Sequence, residues 1–178
     1  MLKFAILFPV YLIILFVLEL LAPIDKHVIA PWTSFLADVS AWLMHTFDSD
    51  VAVHGNIVAS TTTGFAIAIE RGCNGVEAVI ILVAAMLAYP ARWGERLIGI
   101  FIGFFCVQGV NLIRIISLFY LGNWNRTWFD WFHLYVWQAL IVLDALVVFL
   151  IWLSWIRRRE LARLDHANQD QAAIPNPA

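Results

Sequence analysis

The chain has 178 residues, 62% of them hydrophobic and only 13% charged, too little polar surface for a water-soluble domain of this size, so it reads as a membrane protein. With 11 basic against 13 acidic residues it carries no nucleic-acid footprint, and its 2 distant cysteines exclude a disulfide framework. The first apolar run, roughly 4–22, follows only Lys3 and has no small-residue cleavage site after it, which predicts a retained helix rather than a removed signal peptide. Three further runs, roughly 75–90, 97–121 and 132–156, are read as spans against the about 20 apolar residues a bilayer requires. The 75–90 run is short, and Tyr89 with the residues before Gly75 is expected to carry it to both interfaces. Between the first two runs lies an insert, 23–74. Its first half, PWTSFLADVSAWLMHTF, sets Trp32, Phe35, Leu36, Val39, Leu43 and Phe47 at helical spacing, which predicts a helix lying in the membrane interface. Its second half changes to period two (Val51, Val53; Phe65, Ile67, Ile69) around a Ser/Thr/Gly turn, which predicts a small β-hairpin.

The expected fold is thus an all-α polytopic membrane protein of about four transmembrane helices, with an exoplasmic insert holding an interfacial helix and a small β-hairpin. One transmembrane domain covers 1–163, and the tail 164–178 is expected to be a disordered cytoplasmic segment. If four helices alternate, Lys3, Arg92, Arg96, Arg157, Arg158, Arg159 and Arg163 fall on one side, with only Lys26, Arg71 and Arg126 on the other. The positive-inside rule then makes 23–74 and 122–131 exoplasmic and both termini cytoplasmic.

Polar residues that do not belong in lipid converge under this topology. Cys73 opens the second helix at the outer surface, and His133 opens the fourth there. Arg114, in VNLIRIIS, lies seven residues before the expected end of the third run, about 10 Å deep, with a stem long enough to reach toward water. A thiol becomes nucleophilic when deprotonated, and a helix N-terminus and nearby cations favour that. An imidazole can take the proton and return it to a leaving amine, while an arginine steadies a thiolate or oxyanion without acting as a base. Together these types suit a cysteine acyl-transfer site. The bland reading of a membrane cysteine is a small hydrophobe, and it fits Cys106 better than Cys73 among its glycines and Asn74. A helix-end histidine such as His133 can be merely interfacial, whereas an intramembrane arginine is a functional hypothesis by default.

Glu77, four residues after Cys73 on the same helical face, is expected to pair with Arg114. Asp144, eleven residues past His133, should face the bundle interior at the depth of Gln108 and Asn111, its bland role an interhelical hydrogen bond. Asn74, Asn111 and Glu77 are the candidate supporting residues. A competing reading is a non-catalytic transporter or assembly factor with Arg114, Glu77 and Asp144 as a polar pathway; a third is a protease releasing its product to water.

The stretch VHGNIVASTTTGFAIAIERGCNGVEAVIIL resembles the signature of exosortases and archaeosortases: a Gly-containing strand, a second strand, then Cys-(Ser/Thr/Asn)-Gly entering a helix. NLIRI and FHLYVW are similar to that family's arginine and histidine segments, and the resemblance covers roughly 50–156. The short chain resembles a minimal form, of the exosortase H type. The resemblance implies a membrane cysteine protease/transpeptidase with nucleophile Cys73, essential arginine Arg114 and third catalytic residue His133. It implies substrates exported with a C-terminal sorting signal (motif, transmembrane helix, basic cluster), passed on to a surface acceptor. It also implies a multi-pass protein of the bacterial cytoplasmic membrane with its site on the exoplasmic side. Partners are then these exported proteins and membrane lipid, not nucleic acid; no metal or cofactor is expected. Glu77 departs from the general pattern. The hairpin is expected to align the substrate as an added strand.

Overall fold

The computed structural model describes residues 2–172. In chain order it holds α1 (Leu2–Glu19), the short α2 (Ala22–Ile24), a π-helical turn over Asp25–Ile29, and α3 (Ala30–Met44). Three strands follow, β1 (Val51–His54), β2 (Ile57–Ser60) and β3 (Ala66–Ala68), then α4 (Val76–Ala88) and α5 (Trp93–Trp124). The chain closes with α6 (Arg126–Trp131), a π-helical turn over Phe132–Val136, and α7 (Trp137–Ala172).

Helices α1, α4, α5 and α7 form a bundle in which α4 packs against the other three. Contacts along their lengths fix alternating directions. Gly75, before α4, abuts Gln108 and Asn111, whereas Leu82 further on reaches back to Gly103, so α4 and α5 are antiparallel. Trp152 of α7 donates Nε1–H to the carbonyl oxygen of Glu95 at 3.0 Å, and Arg163 bonds the Glu95 carboxylate at 2.6 Å, so α7 returns to the start of α5. Phe4 of α1 stacks on Phe149 of α7 at 6.3 Å, which sets the start of α1 at this same end. Glycine permits the closest approaches: a Cβ on Gly99 would stand 2.2 Å from the Trp152 ring, and one on Gly103 would stand 2.6 Å from Leu82.

Among the described residues, three helices are long and apolar enough to cross a membrane: Leu2–Glu19, Trp93–Trp124 and the continuous helical stretch Arg126–Asp165. The fourth, α4, has 13 residues and is therefore about 20 Å long, short of a roughly 30 Å hydrocarbon core. At 32 residues, α5 is about 48 Å long and serves two cores. One, in the bundle, joins Val107 to Leu82, Met86, Ile141, Ala145 and Trp152. The other joins Ile115 and Phe119 to the insert through Leu36, Met44, Val51, Val58 and Ile69. Between the two cores α5 presents Gln108, Asn111 and Arg114, all buried.

The insert adds two features to the expectation. The face α3 buries is Thr33, Leu36, Ala37, Ser40, Ala41 and Met44, while Phe35 and Trp42 are exposed. Small residues let the sheet and α5 approach closely, and the two buried hydroxyls are satisfied within the helix, Thr33 on the Ile29 carbonyl and Ser40 on that of Leu36. The expected hairpin is a three-stranded antiparallel sheet, order β1-β2-β3. Its extra turn is the two-residue Gly55-Asn56 between paired His54 and Ile57, with Gly55 at φ 63°, a left-handed conformation that glycine adopts freely. At the other end, α7 is helical to Ala172; of the tail expected to be disordered, 173–178 lie outside the described residues.

Candidate active site

The loop between β3 and α4 ends in Gly72-Cys73-Asn74-Gly75, with both glycines at positive φ, 79° and 72°. These left-handed turns suit glycine and double the chain back so that it enters α4 with Cys73 facing α5. The amide of Cys73 donates to the Glu70 carbonyl at 2.9 Å, closing a turn beneath the thiol. Asn74 is fully buried; its Oδ1 accepts the Val76 N–H at 3.0 Å and its Nδ2 reaches Thr33 of α3 at 3.4 Å. It therefore covers the first free donor of α4 and ties the loop to the insert. Gly75 leaves no space for a side chain: a Cβ there would lie 3.0 Å from Gln108 and 3.1 Å from Asn111.

Arg114 is 1% exposed, with its guanidinium over this loop. Nη1 donates to the Gly72 carbonyl oxygen at 2.9 Å, and Nη2 lies 3.7 Å from Cys73 Sγ. The expected pairing of Glu77 with Arg114 does not occur. Glu77 Oε1 instead accepts the Gly72 N–H at 2.5 Å. The carboxylate reaches a main-chain donor one turn away, so acid and base hold opposite ends of the same residue.

His133 sits in the π-helical turn that joins α6 to α7, and such irregular turns recur at functional sites. Its ring stacks face to face on Phe129 at 5.5 Å, and Nδ1 is buried without a hydrogen-bond partner. Phe129 in turn meets Phe65 edge-on at 5.8 Å, and Phe65 meets Phe119 of α5 at 6.3 Å. Through these rings β3, α5 and α6 share one aromatic joint. Asn125 starts α6, its side chain accepting the N–H groups of Thr127 and Trp128 at 2.9 and 3.3 Å. Cys73, Arg114 and His133 line a single cavity of about 30 Å³, walled by Ile67, Ala68 and Ile69 of the insert and by Phe129. That holds a water or two, no more.

Burial pushes the Cys73 thiol above its ordinary pKa; the Arg114 charge pulls it down, and Glu77 pushes it further up. The desolvation cost of a thiolate here exceeds what one guanidinium returns. The resting thiol is therefore protonated, contrary to the lowering that a helix entrance and cations suggest.

Asn111 is fully buried near Gly75, and neither of its amide atoms has a partner; the same holds for Gln108. Asp144 is half-buried on α7, one carboxylate oxygen without a partner. Cys106 is exposed on α5, in a groove with Gly99, Gly103 and Trp152. Two participants escaped the sequence reading: Gly72, which acts through its peptide groups, and Phe129, which sets the imidazole plane. The double glycine around Cys73 and the Phe-x-x-x-His spacing are the signals they left.

Among known proteins, the family model described as transmembrane exosortase, of the EpsH type, matches residues 2–148. Searches of curated proteins and of solved structures find no match. The family model spans α1 to the middle of α7 and so includes every residue lining the Cys73 cavity. The chain belongs to the transmembrane exosortase family.

Proposed function

We propose that this protein is a membrane cysteine transpeptidase that cleaves the C-terminal sorting signal of exported proteins and transfers the product to an acceptor. Cys73 is the nucleophile, His133 the general acid and base, and Arg114 the positive charge that steadies sulfur and developing oxyanion. The observation that carries this reading is the reach of Arg114 to both the Gly72 carbonyl and Cys73 Sγ, in the cavity that His133 also lines.

The order of events follows from the raised thiol. A free thiolate is scarce at neutral pH, so proton removal accompanies attack. Neutral His133 takes the Sγ proton as sulfur bonds to the scissile carbonyl carbon, and the C=O pair becomes an oxyanion. The Arg114 guanidinium lies next to that charge at the moment it forms. Collapse of the adduct breaks the C–N bond; the imidazolium returns its proton to the leaving amine, and an acyl thioester stays on Cys73. The acceptor nucleophile attacks the thioester, gives its proton to His133, and restores the thiol.

The basic residues Lys3, Arg92, Arg96, Arg157, Arg158, Arg159 and Arg163 gather at the bundle end opposite the cavity. By the positive-inside rule that end is cytoplasmic, and the cavity opens on the exoplasmic face of a bacterial inner membrane. A substrate motif lying just outside its own transmembrane helix arrives at that level. On this orientation α4 and its flanking residues complete a fourth crossing, and the exposed aromatic face of α3 lies in the interface. The test is co-expression with an exported reporter carrying a C-terminal sorting tail from the same genome. Cys73→Ala abolishes the mobility shift of the reporter, and Cys106→Ala leaves it unchanged; equal losses from both would remove Cys73 as nucleophile.

A further inference from the structure

The backbone phase of β3 leads directly to the Cys73 cavity. Ser60 N–H donates to the Phe65 carbonyl at 2.8 Å, and Ile69 N–H donates to the Asn56 carbonyl at 2.8 Å, with Ile67 opposite Val58 between them. In an antiparallel ladder, hydrogen-bonded and non-bonded pairs alternate. Phe65, Ile67 and Ile69 therefore turn their peptide groups toward β2. Ala66 and Ala68 turn theirs to the free edge, where they take no hydrogen bond among the described residues. Natural edges are usually blunted by charge, proline or cover. This one is not: Ala66 and Ala68 are small, uncharged and exposed.

The edge is also held still and aimed. The ring of Phe65 lies where a Cβ on Gly122 would be, 2.0 Å from its Cζ, and Thr63 bonds the Asn123 side chain, so the start of β3 is pinned to the end of α5. The far end of β3, at Ile67, Ala68 and Ile69, walls the cavity that Cys73, Arg114 and His133 line. That cavity, at about 30 Å³, is too small to enclose even one residue, so a peptide meets the thiol from outside the cavity, of which β3 forms one wall.

We infer that the substrate segment bearing the scissile bond adds to β3 as a fourth strand, exchanging main-chain hydrogen bonds with Ala66 and Ala68, and that this pairing delivers its carbonyl to Cys73. The inference rests on the transpeptidase reading of the site. Main-chain pairing supplies affinity without regard to side chains. The methyl groups of Ala66 and Ala68 leave room for bulk on the substrate residues opposite them, so selectivity falls on the alternate positions.

The experiment uses the full-length enzyme in membranes with the same tailed reporter, in a Cys106→Ala background. Ala68→Pro removes an outward N–H and leaves the β2 ladder intact, as proline on an edge strand does when its nitrogen faces away from the ladder. Processing should fall roughly tenfold or more, the loss expected when a buried hydrogen bond is broken and its partner left unpaired. Alkylation of Cys73 by iodoacetamide should stay within about twofold of the parent in Ala68→Pro, because the small reagent needs no strand to guide it. In a Cys73→Ala, Cys106→Ala background, with copper phenanthroline and air added as thiol oxidant, Ala66→Cys should form disulfides with single cysteines in the reporter tail at every second position. Normal processing by Ala68→Pro, or Ala66→Cys adducts only with a second enzyme copy, would overturn the inference while leaving Cys73 as nucleophile. Normal processing by Cys73→Ala would bring down the transpeptidase reading itself.

Discussion

Arg114 donates through Nη1 to the carbonyl oxygen of Gly72 at 2.9 Å, while the N–H of that glycine is held by Glu77. A buried arginine and a nearby carboxylate thus avoid direct pairing and grip opposite ends of one residue. Direct pairing would occupy the guanidinium edge that faces Cys73. Holding Gly72 instead locks the turn that carries the thiol and leaves Nη2 beside sulfur.

This geometry separates two functions of Glu77. In Glu77→Gln an amide oxygen still accepts the Gly72 N–H, so processing of a tailed reporter should stay within about threefold of the parent, one neutral hydrogen bond replacing one charge-assisted. Glu77→Ala leaves that donor unpaired in a part-buried turn and should cost roughly tenfold or more in processing. Asp144→Asn, on α7 and with one carboxylate oxygen already unpartnered, should be nearly silent. Equal losses in Glu77→Gln and Glu77→Ala would show that the charge, not the tether, matters.

The raised Cys73 thiol has a measurable signature. Its acid form is neutral and its base form charged, so burial delays ionisation to higher pH. Iodoacetamide alkylation of the folded Cys106→Ala protein should rise through a midpoint above the about 8.5 of a free thiol. Removing the Arg114 charge in Arg114→Gln should move the midpoint up, and Glu77→Gln should move it down. Arg114→Lys keeps the charge and loses the fork, so it should hold the midpoint near the parent yet lower processing roughly a hundredfold. A parent midpoint at neutral pH would contradict the protonated resting state.

Much of this was legible in the sequence, and the failures share a cause. Hydropathy located the bundle helices because lipid demands unbroken apolar runs, and alternation carried Cys73, Arg114 and His133 to one level. The ends of α5 were missed: WGER and GNW are polar, small or aromatic, yet they continue the helix because the insert and α7 pack on them. The face of α3 that packs on the sheet and α5 was not read from the sequence, because close approach selects Ala37, Ser40 and Ala41, a steric demand that hydrophobicity does not record. The third strand was hidden by the two-residue Gly55-Asn56 turn. The Glu77 partner was missed because its acceptor role is toward a main-chain N–H, which no residue type announces.

The aromatic joint makes a stability prediction. Gly122→Ala drives a methyl into the Phe65 ring, and overpacking of this kind costs about 1–3 kcal/mol. Because Phe65 seats β3 and touches Phe129, under His133, thermal stability in detergent and reporter processing should fall together. Gly109→Ala, where nothing lies within 4 Å of the new methyl, should leave both unchanged or raise stability slightly. A silent Gly122→Ala would mean that the joint does not set the site.

The most direct test of the account is capture of the acyl-enzyme. Enzyme purified after co-expression with the tailed reporter, quenched in acid and digested, should show by mass spectrometry a hydroxylamine-labile acyl group on the peptide containing Cys73. The adduct should persist in Cys106→Ala and vanish in Cys73→Ala. An adduct on Cys106, or reporter cleavage that continues in Cys73→Ala, would contradict the assignment of Cys73 as the nucleophile.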